Sequence, residues 1–262
     1  MRRLRHLTSQ HRTLGTNQLL GALLAFNAGA VNAGGFLVVG VYTSHMTGFT
    51  SSLADQLVLG NMALALAALA ALLAFVLGAA VTALLVNWAR QHRLRSEYAL
   101  PLMLEALLLL LFGLMGATLG HQTPFAVPAT VLVLAFTMGL QNALVTKISA
   151  AQIRTTHMTG IITDLGIELG KMAYWNRQST PASDSAESAL GYVRANQFKL
   201  RLYSILLLSF IVGGVVGALG FKHVGFIWVL PLATLLLLVS LPPLVTDLRK
   251  GLYQISPRPP TR

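Results

Sequence analysis

Long apolar runs constrain the fold of this chain more than any other feature of its sequence. Six of them recur along the 262 residues, separated by short polar segments. A run of about 18 apolar residues can cross the roughly 30 Å hydrocarbon core of a bilayer as a helix, which satisfies its own backbone hydrogen bonds. The sequence therefore predicts an all-α, polytopic membrane protein with six transmembrane helices, at about 19–42, 62–89, 99–118, 126–146, 202–221 and 224–243.

The distribution of charge predicts how these spans are oriented. The chain carries 19 Lys and Arg and a formal net charge of +11, although charged residues make up only 10% of it. The basic residues lie between the apolar runs and at the ends of the chain, so we interpret them as determinants of topology and expect no nucleic-acid partner. With six spans, every Lys and Arg except Lys222 falls on the side of the N-terminus. The positive-inside rule then predicts that both termini are cytoplasmic.

Several classes of function are disfavoured by missing residues and motifs. The chain contains no cysteine, which excludes disulfides, thiolate metal sites and thiol catalysis. The motifs H-E-x-x-H and G-x-S-x-G and the P-loop are absent as well. We therefore expect no cofactor and no metal site, and a membrane enzyme is only the third hypothesis.

One short phrase occurs twice in this otherwise apolar sequence. T-S-H-M-T-G runs over 43–48, after the first span, and T-T-H-M-T-G runs over 155–160, after the fourth. The spans that follow also match, L-L-A-F-V-L-G-A-A-V-T-A-L at 72–84 with L-L-S-F-I-V-G-G-V-V-G-A-L at 207–219. A match at equivalent places predicts an internal duplication, and chance similarity between apolar segments is the alternative.

The duplication predicts two membrane repeats, 19–118 and 126–243, with three spans each. Because three crossings reverse the direction of the chain, the second repeat is expected to be inverted relative to the first, an arrangement common in secondary transporters. Three further segments are predicted to be cytoplasmic: a basic N-terminal segment at 1–18, a polar insertion at 176–197 and a C-terminal tail at 244–262.

Each repeated phrase is predicted to interrupt the membrane helices as a broken or re-entrant segment. Gly48 and Gly160 permit backbone angles that are closed to other residues. A capping-box pattern at 52–55, and Thr163 with Asp164 in the second copy, place a helix start after each phrase. Such backbone must be buried in protein or line a wet cavity. The helix N-terminus there carries partial positive charge, which suits an anionic or polar solute.

Polar side chains near the two phrases are the candidate binding residues. His45 and His157 can donate hydrogen bonds or exchange protons near neutral pH, and capping of neighbouring helices is the alternative. A soft-metal site that includes the adjacent methionines would lack a third ligand and is not favoured. Asn32, Gln141 and Asn142 lie within predicted spans, where amides either join helices or bind a solute.

Two acidic residues complete the candidates. Asp164 is either a site residue or a helix cap, and Glu105 in the third span is interpreted as a partner of cytoplasmic arginines. The predicted solute site comprises Asn32, Thr43, His45, Thr47, Gly48, Gln141, Asn142, Thr155, His157, Thr159, Gly160 and Asp164.

The order of these motifs resembles that of a known family. A first helix rich in Gly and Asn, the phrase at 43–48, the sequence G-L-Q-N at 139–142 and the phrase at 155–160 are similar to the YoaK-like family of bacterial membrane proteins, which carry a domain of unknown function. The resemblance covers about residues 17–245. It implies a multi-pass protein of the bacterial inner membrane, and it supplies no activity.

Two functions from different classes fit these features. The first is a small secondary transporter or channel-like protein for a small polar or anionic solute, in which the two phrases meet at a central site. The second is a non-transporting scaffold or assembly factor, in which the polar residues only join helices. The lipid bilayer is the expected surrounding in both cases. Six spans make a small core, so we also expect a homodimer.

Overall fold

Helices make up almost all of the described structure. The computed structural model describes residues 14–92, 94, 96–118, 126–148, 156–174 and 194–249. This part of the chain contains eight α-helices, one 3-10 helix and no strand. The α-helices are α1 (Leu14–Val39), α2 (Met46–Val58), α3 (Met62–Gln91), α4 (Ala99–Thr118), α5 (Ala126–Ile148), α6 (Met158–Ala173), α7 (Gln197–His223) and α8 (Val229–Arg249), with the 3-10 helix Gly225–Trp228 before α8.

Six helices within the described residues are long and apolar enough to cross a membrane. They are α1, α3, α4, α5, α7 and α8, so the predicted all-α multi-pass architecture is confirmed. The predicted boundaries differ by up to six residues at α1, α7 and α8, and α7 begins at Gln197 and not near 202. Asn196 explains the earlier start, because its side chain accepts hydrogen bonds from the N–H groups of Phe198 and Lys199 and so caps the helix.

The long helices pack in pairs. α1 packs against α7, α3 against α5 and α4 against α8, while α2 lies along α3 and α6 along α7. The first two pairs meet at glycines: a Cβ atom on Gly139 would lie 2.0 Å from the carbonyl oxygen of Phe75, and one on Gly213 would lie 2.0 Å from that of Phe26. The missing side chains let the backbones touch, as small residues do where membrane helices associate.

An apolar core lies where α1, α4, α5, α7 and α8 meet. Phe112, Leu206 and Leu236 are among its largest fully buried side chains. In contrast, α3 exposes large apolar side chains along its length, including Leu73 and Leu84. An apolar outer face is expected for a helix that is surrounded by lipid.

Several predicted segments lie outside the described residues. They are most of the basic N-terminal segment, most of the polar insertion at 176–197 and the tail beyond residue 249. Of the predicted site residues, Thr155 also lies outside them.

Candidate functional site

Two short helices begin at the repeated phrases. α2 starts directly after His45 and α6 directly after His157, so each histidine occupies the N-cap position of its helix. Neither histidine side chain makes a hydrogen bond that caps the first turn. Because the first-turn N–H groups of a helix have no partner within it, both helix starts present polar backbone to their surroundings.

These helix starts lie earlier than the predicted ones. The pattern at 52–55 lies inside α2, and Thr163 and Asp164 lie inside α6, so none of them caps a helix as predicted. The helices begin at the histidines because the backbone carbonyl groups there already accept helical hydrogen bonds, from the N–H groups of Phe49 and Ile161 at 3.1 Å each.

Gly48 and Gly160 also differ from their predicted role. Both lie in the first turn of a helix, and neither has a positive φ angle. A Cβ atom on Gly48 would lie 2.7 Å from the ring of His45, and one on Gly160 would lie 2.4 Å from the ring of His157. These glycines therefore make room for an imidazole folded over the helix start, and unusual backbone angles do not explain them.

Asn32 and Asn142 hold the segments that lead into the two short helices. The Oδ1 atom of Asn32 accepts a hydrogen bond from the Ser44 hydroxyl at 2.8 Å. The Oδ1 atom of Asn142 accepts one from the backbone N–H of Thr156 at 3.2 Å, and its amide donates to the Thr156 hydroxyl. Ser44 and Thr156 each directly precede a histidine, so the two asparagines contact equivalent residues of the two phrases, although the Ser44 hydroxyl donates and the Thr156 hydroxyl accepts.

The two phrases meet at one cavity of about 360 Å³, which we call the central cavity. The first turns of α2 and α6 border it, and side chains of α3 and α5 complete it near the middle of α3. Its polar lining consists of Ser44, His45, Thr47, Asn142, Thr146, Thr156, His157 and Thr159, and its other lining residues are Met46, Phe75, Ala79, Gly139, Ala143 and Met158.

The polar side chains that line the central cavity carry no permanent charge. Among the described residues, no Asp, Glu, Lys or Arg lines it. Hydroxyl groups, an amide and two imidazoles can both donate and accept hydrogen bonds. The adjacent helix N-termini add a positive potential that favours the negative end of a solute. The arrangement can therefore hold a small polar or anionic molecule.

A larger cavity of about 780 Å³ lies between α6 and α7 and shares His157 and Thr159 with the central cavity. Gly160, Asp164 and Lys199 also line it. Asp164 thus lines this second cavity and does not line the central cavity.

Glu168 joins α6 to the start of α7. Its side chain is 5% exposed; Oε2 accepts a hydrogen bond from the backbone N–H of Asn196 at 2.6 Å, and Oε1 accepts one from Lys171 Nζ at 2.9 Å. The Asn196 N–H, and after it the Lys171 ammonium group, lowers the pKa of this carboxyl below its ordinary value. The contact fixes α6 relative to α7.

Other predicted site residues are buried away from the central cavity. Gln141 donates from Nε2 to the carbonyl oxygen of Leu24 at 3.1 Å, which joins α5 to α1. Thr43 is fully buried, and its hydroxyl has no hydrogen-bond partner within the described structure. The members of the predicted set that the central cavity brings together are His45, Thr47, Asn142, His157 and Thr159. That these residues bind a solute stays a prediction.

Glu105 has a different partner from the predicted arginines. It is fully buried and accepts a hydrogen bond at 3.2 Å from Nδ2 of Asn27, across the contact between α4 and α1. Arg90 instead pairs with Glu97 at 2.8 Å and donates to the Tyr98 hydroxyl. Glu97 precedes α4, whereas Glu105 lies six residues beyond the first residue of α4, roughly 9 Å along the helix, so Glu105 lies too deep among the helices for this pairing.

The sequence reasoning missed the apolar half of the cavity. Phe75 and Gly139, which line it, both belong to F-x-x-G segments, at 75–78 and 136–139. The same pattern occurs at 26–29 and 210–213, and the four glycines are the points of closest helix contact. The recurrence of F-x-x-G in four spans is the signal that could have identified this side of the site.

Comparison with known proteins gives the following matches. A family model described as "Protein of unknown function (DUF1275)" matches residues 20–241. The chain is 29% identical over 179 residues to the "UPF0700 transmembrane protein YoaK" of Bacillus subtilis (strain 168), and the match covers 68% of this chain and 78% of that relative. No solved structure matches the chain.

Proposed function

The chain belongs to the DUF1275 family, which confirms the resemblance to YoaK-like membrane proteins, and we propose that it is a small secondary transporter or channel-like protein. Its cargo is a small polar or anionic solute. The observation that carries the proposal is that the helix starts of both repeated phrases border a single cavity. We place the protein in the bacterial inner membrane with both termini in the cytoplasm, as the charge distribution predicts.

We propose that α1–α4 and α5–α8 form two inverted repeats. In this alignment α5 is the counterpart of α1, and α7 is the counterpart of α3. The contact between α1 and α7 joins the F-x-x-G segments 26–29 and 210–213, and the contact between α5 and α3 joins the segments 136–139 and 75–78. In each of these contacts the first helix of one repeat packs against the third helix of the other repeat. A two-fold axis that exchanges the repeats would produce such a pair of contacts, which supports the inverted arrangement.

The position of the cavity along the helices supports a site inside the membrane. Phe75 and Ala79 lie near the middle of α3, which is 30 residues long. If α3 crosses the membrane, the central cavity lies close to the middle of the roughly 30 Å hydrocarbon core. With 13 and 16 residues, α2 and α6 then act as half-helices that run from this depth toward opposite faces. Irregular backbone is tolerated at such depth beside a polar cavity.

The lining of the cavity supports the class of solute. A permanent cation would meet two positive helix N-termini and no carboxylate among the described lining residues. A small anion or a neutral polar molecule would instead find hydroxyl, amide and imidazole donors. The volume of about 360 Å³ also limits the cargo to a small molecule.

A scaffold is the alternative, and one observation favours it: Asn32 and Asn142 hold chain segments in place through Ser44 and Thr156. However, the side chains of His45 and His157 make no capping hydrogen bond, so a scaffold would not need them. Loss of stability in histidine variants would indicate a scaffold, whereas loss of flux with retained stability would indicate a transporter.

Solute flux into proteoliposomes tests the proposal. Stopped-flow light scattering would follow the entry of urea, glycerol, formate and nitrate into vesicles that hold the wild type or the double variant His45→Ala with His157→Ala. We expect wild-type flux of at least one solute above that of empty vesicles, and a decrease of at least about tenfold in the double variant because hydrogen bonds to the solute are lost. The thermal unfolding temperature should change little.

His223→Ala is the matched control, because His223 is an exposed histidine in the last turn of α7 and does not line the central cavity. It should retain wild-type flux. Equal rates for the wild type, the double variant and empty vesicles across the panel would argue against transport.

A further inference from the structure

Three buried polar side chains cluster where α1, α4 and α5 meet. Asn27 on α1 donates from Nδ2 to Oε1 of Glu105 on α4 at 3.2 Å. Gln141 on α5 donates from Nε2 to the carbonyl oxygen of Leu24, one helical turn before Asn27, at 3.1 Å. All three side chains are 0% exposed, and none of them lines the central cavity.

Each member of this cluster has an oxygen without a hydrogen-bond donor. Within the described structure, Oδ1 of Asn27, Oε2 of Glu105 and Oε1 of Gln141 are buried and have no partner. Buried acceptors nearly always have a donor, because removing them from water without one is costly. A hydrogen atom bound to Oε2 of Glu105 and donated to Oδ1 of Asn27 would account for two of these three oxygens.

No ion pair joins Glu105 to a basic side chain among the described residues. The described side chains of α1 and α8 include no ionisable group, and the basic residues of α3 and α5 are Arg90 and Lys147, each in the last turn of its helix. Arg90 is bonded to Glu97 and Tyr98. An ionised Glu105 would thus be unpaired among apolar helices, which the interior of a membrane strongly disfavours.

We propose that Glu105 and Asn27 form a proton-binding site, in which Glu105 carries an exchangeable proton on Oε2 and donates it to Oδ1 of Asn27. The acid and the amide then make two complementary hydrogen bonds, Nδ2–H to Oε1 and Oε2–H to Oδ1. Proton binding converts the carboxylate into a neutral acid and requires no other reactant. The proposal concerns only the protonation of Glu105, so it is independent of the transport proposed above.

The proton is required whichever way the Asn27 amide is turned. If Oδ1 and Nδ2 exchanged places, two acceptor oxygens would face each other across the 3.2 Å contact with Glu105. A proton on Oε1 would then be needed to make that contact a hydrogen bond. In either orientation a buried acid faces a buried amide, and one proton completes the pair.

Infrared spectroscopy of the full-length protein in lipid vesicles tests the proposal through the C=O stretching band of protonated carboxylic acids. At pH 7 the wild type should show this band and Glu105→Gln should lack it, since an ordinary glutamate, with a pKa of about 4.3, is ionised at this pH. Transfer to D₂O should shift the band. Glu97→Gln is the matched control and should keep it, because Glu97 is the ion-pair partner of Arg90.

Asn27→Ala gives a second measurement. It removes the Oδ1 acceptor of the Glu105 proton, so the C=O stretching band of Glu105 should move to higher frequency. A wild-type spectrum without the band at pH 7, or with a band that does not shift in D₂O, would overturn the proposal. Thermal stabilisation of the wild type by Na⁺ that is absent from Glu105→Gln would also overturn it, in favour of a metal cation bound among the same oxygens.

Discussion

Four glycines determine how closely the long helices approach one another. In each F-x-x-G segment, a Cβ atom on the glycine would lie 2.0 to 2.1 Å from the carbonyl oxygen of a phenylalanine on the partner helix. No real Cβ atom fits there, so any side chain would push the backbones apart and weaken the contact along the helix pair. Because Gly139 and Phe75 also line the central cavity, its shape depends on the same contact.

Gly139→Ala should therefore destabilise the protein by about 1–3 kcal/mol, the usual effect of overpacking. Thermal or denaturant unfolding of the purified protein in detergent would measure the change. The matched control is Gly166→Ala on α6, where a Cβ atom would meet nothing within 4 Å. Alanine favours a helix over glycine by up to about 1 kcal/mol, so the control should be neutral or stabilised. Equal effects of the two substitutions would contradict the packing argument.

The two short helices share a histidine start but differ in how their other ends are held. α2 ends in a turn with Gly60 at a φ of 74°, which leads directly into α3. α6 is instead joined to α7 through Glu168, which contacts the backbone of Asn196. The charge of one carboxylate therefore helps to hold α6 against α7, whereas a short covalent connection helps to hold α2 beside α3.

Acidification below about pH 4.3 should loosen α6 from α7. The pKa of Glu168 is lower in the folded protein than in the unfolded chain, so its contribution to stability is fully present above the unfolded value and is lost as the pH falls through the folded value. Hydrogen exchange of α6, corrected for the intrinsic rate, would measure the change between about pH 6 and pH 3.

Glu168→Gln should reduce this pH dependence, because glutamine stays neutral throughout the range. Asp55→Asn, which replaces an exposed carboxyl on α2, is the control and should leave the pH dependence of α6 unchanged. Exchange of α6 that is the same at both pH values in the wild type would rule out the proposed role of Glu168.

At the scale of the whole molecule, the helix pairs connect the two halves of the chain. α1 packs against α7 and α3 against α5, so each half supplies one helix to each pair. Neither half can bury its glycine-containing faces without the other. The central cavity is likewise completed only when both halves are present. The homodimer stays a prediction, because no contact of the described structure tests it.

The proposed inverted arrangement predicts that the far ends of the two short helices reach opposite sides of the membrane. The chain has no cysteine, so Val58→Cys and Tyr174→Cys introduce single labelling sites at exposed positions, at the end of α2 and directly after α6. A membrane-impermeant maleimide should label Val58→Cys in intact spheroplasts and Tyr174→Cys only after permeabilisation. Labelling of both variants from the same side would exclude the inverted topology.

The sequence by itself determined the class of fold and the residues of interest. Length and apolarity specified six spans, because a helix in lipid must be long, apolar and internally hydrogen-bonded. The repeated phrase identified His45 and His157, since a polar segment that recurs at equivalent places in an apolar chain indicates a duplication and not chance similarity. These features depend on local composition, which can be read along the chain.

The tertiary structure alone decided which of these residues meet. Gln141 and Asn142 are adjacent in sequence, yet Gln141 bonds to α1 while Asn142 lines the central cavity, because a helix turns consecutive side chains in different directions. Glu105 pairs with Asn27, 78 residues away, which no spacing rule indicates. Contacts between distant segments depend on the crossing of whole helices, and at the α1–α7 and α3–α5 contacts of this protein the crossing is set by where glycine lets two backbones touch.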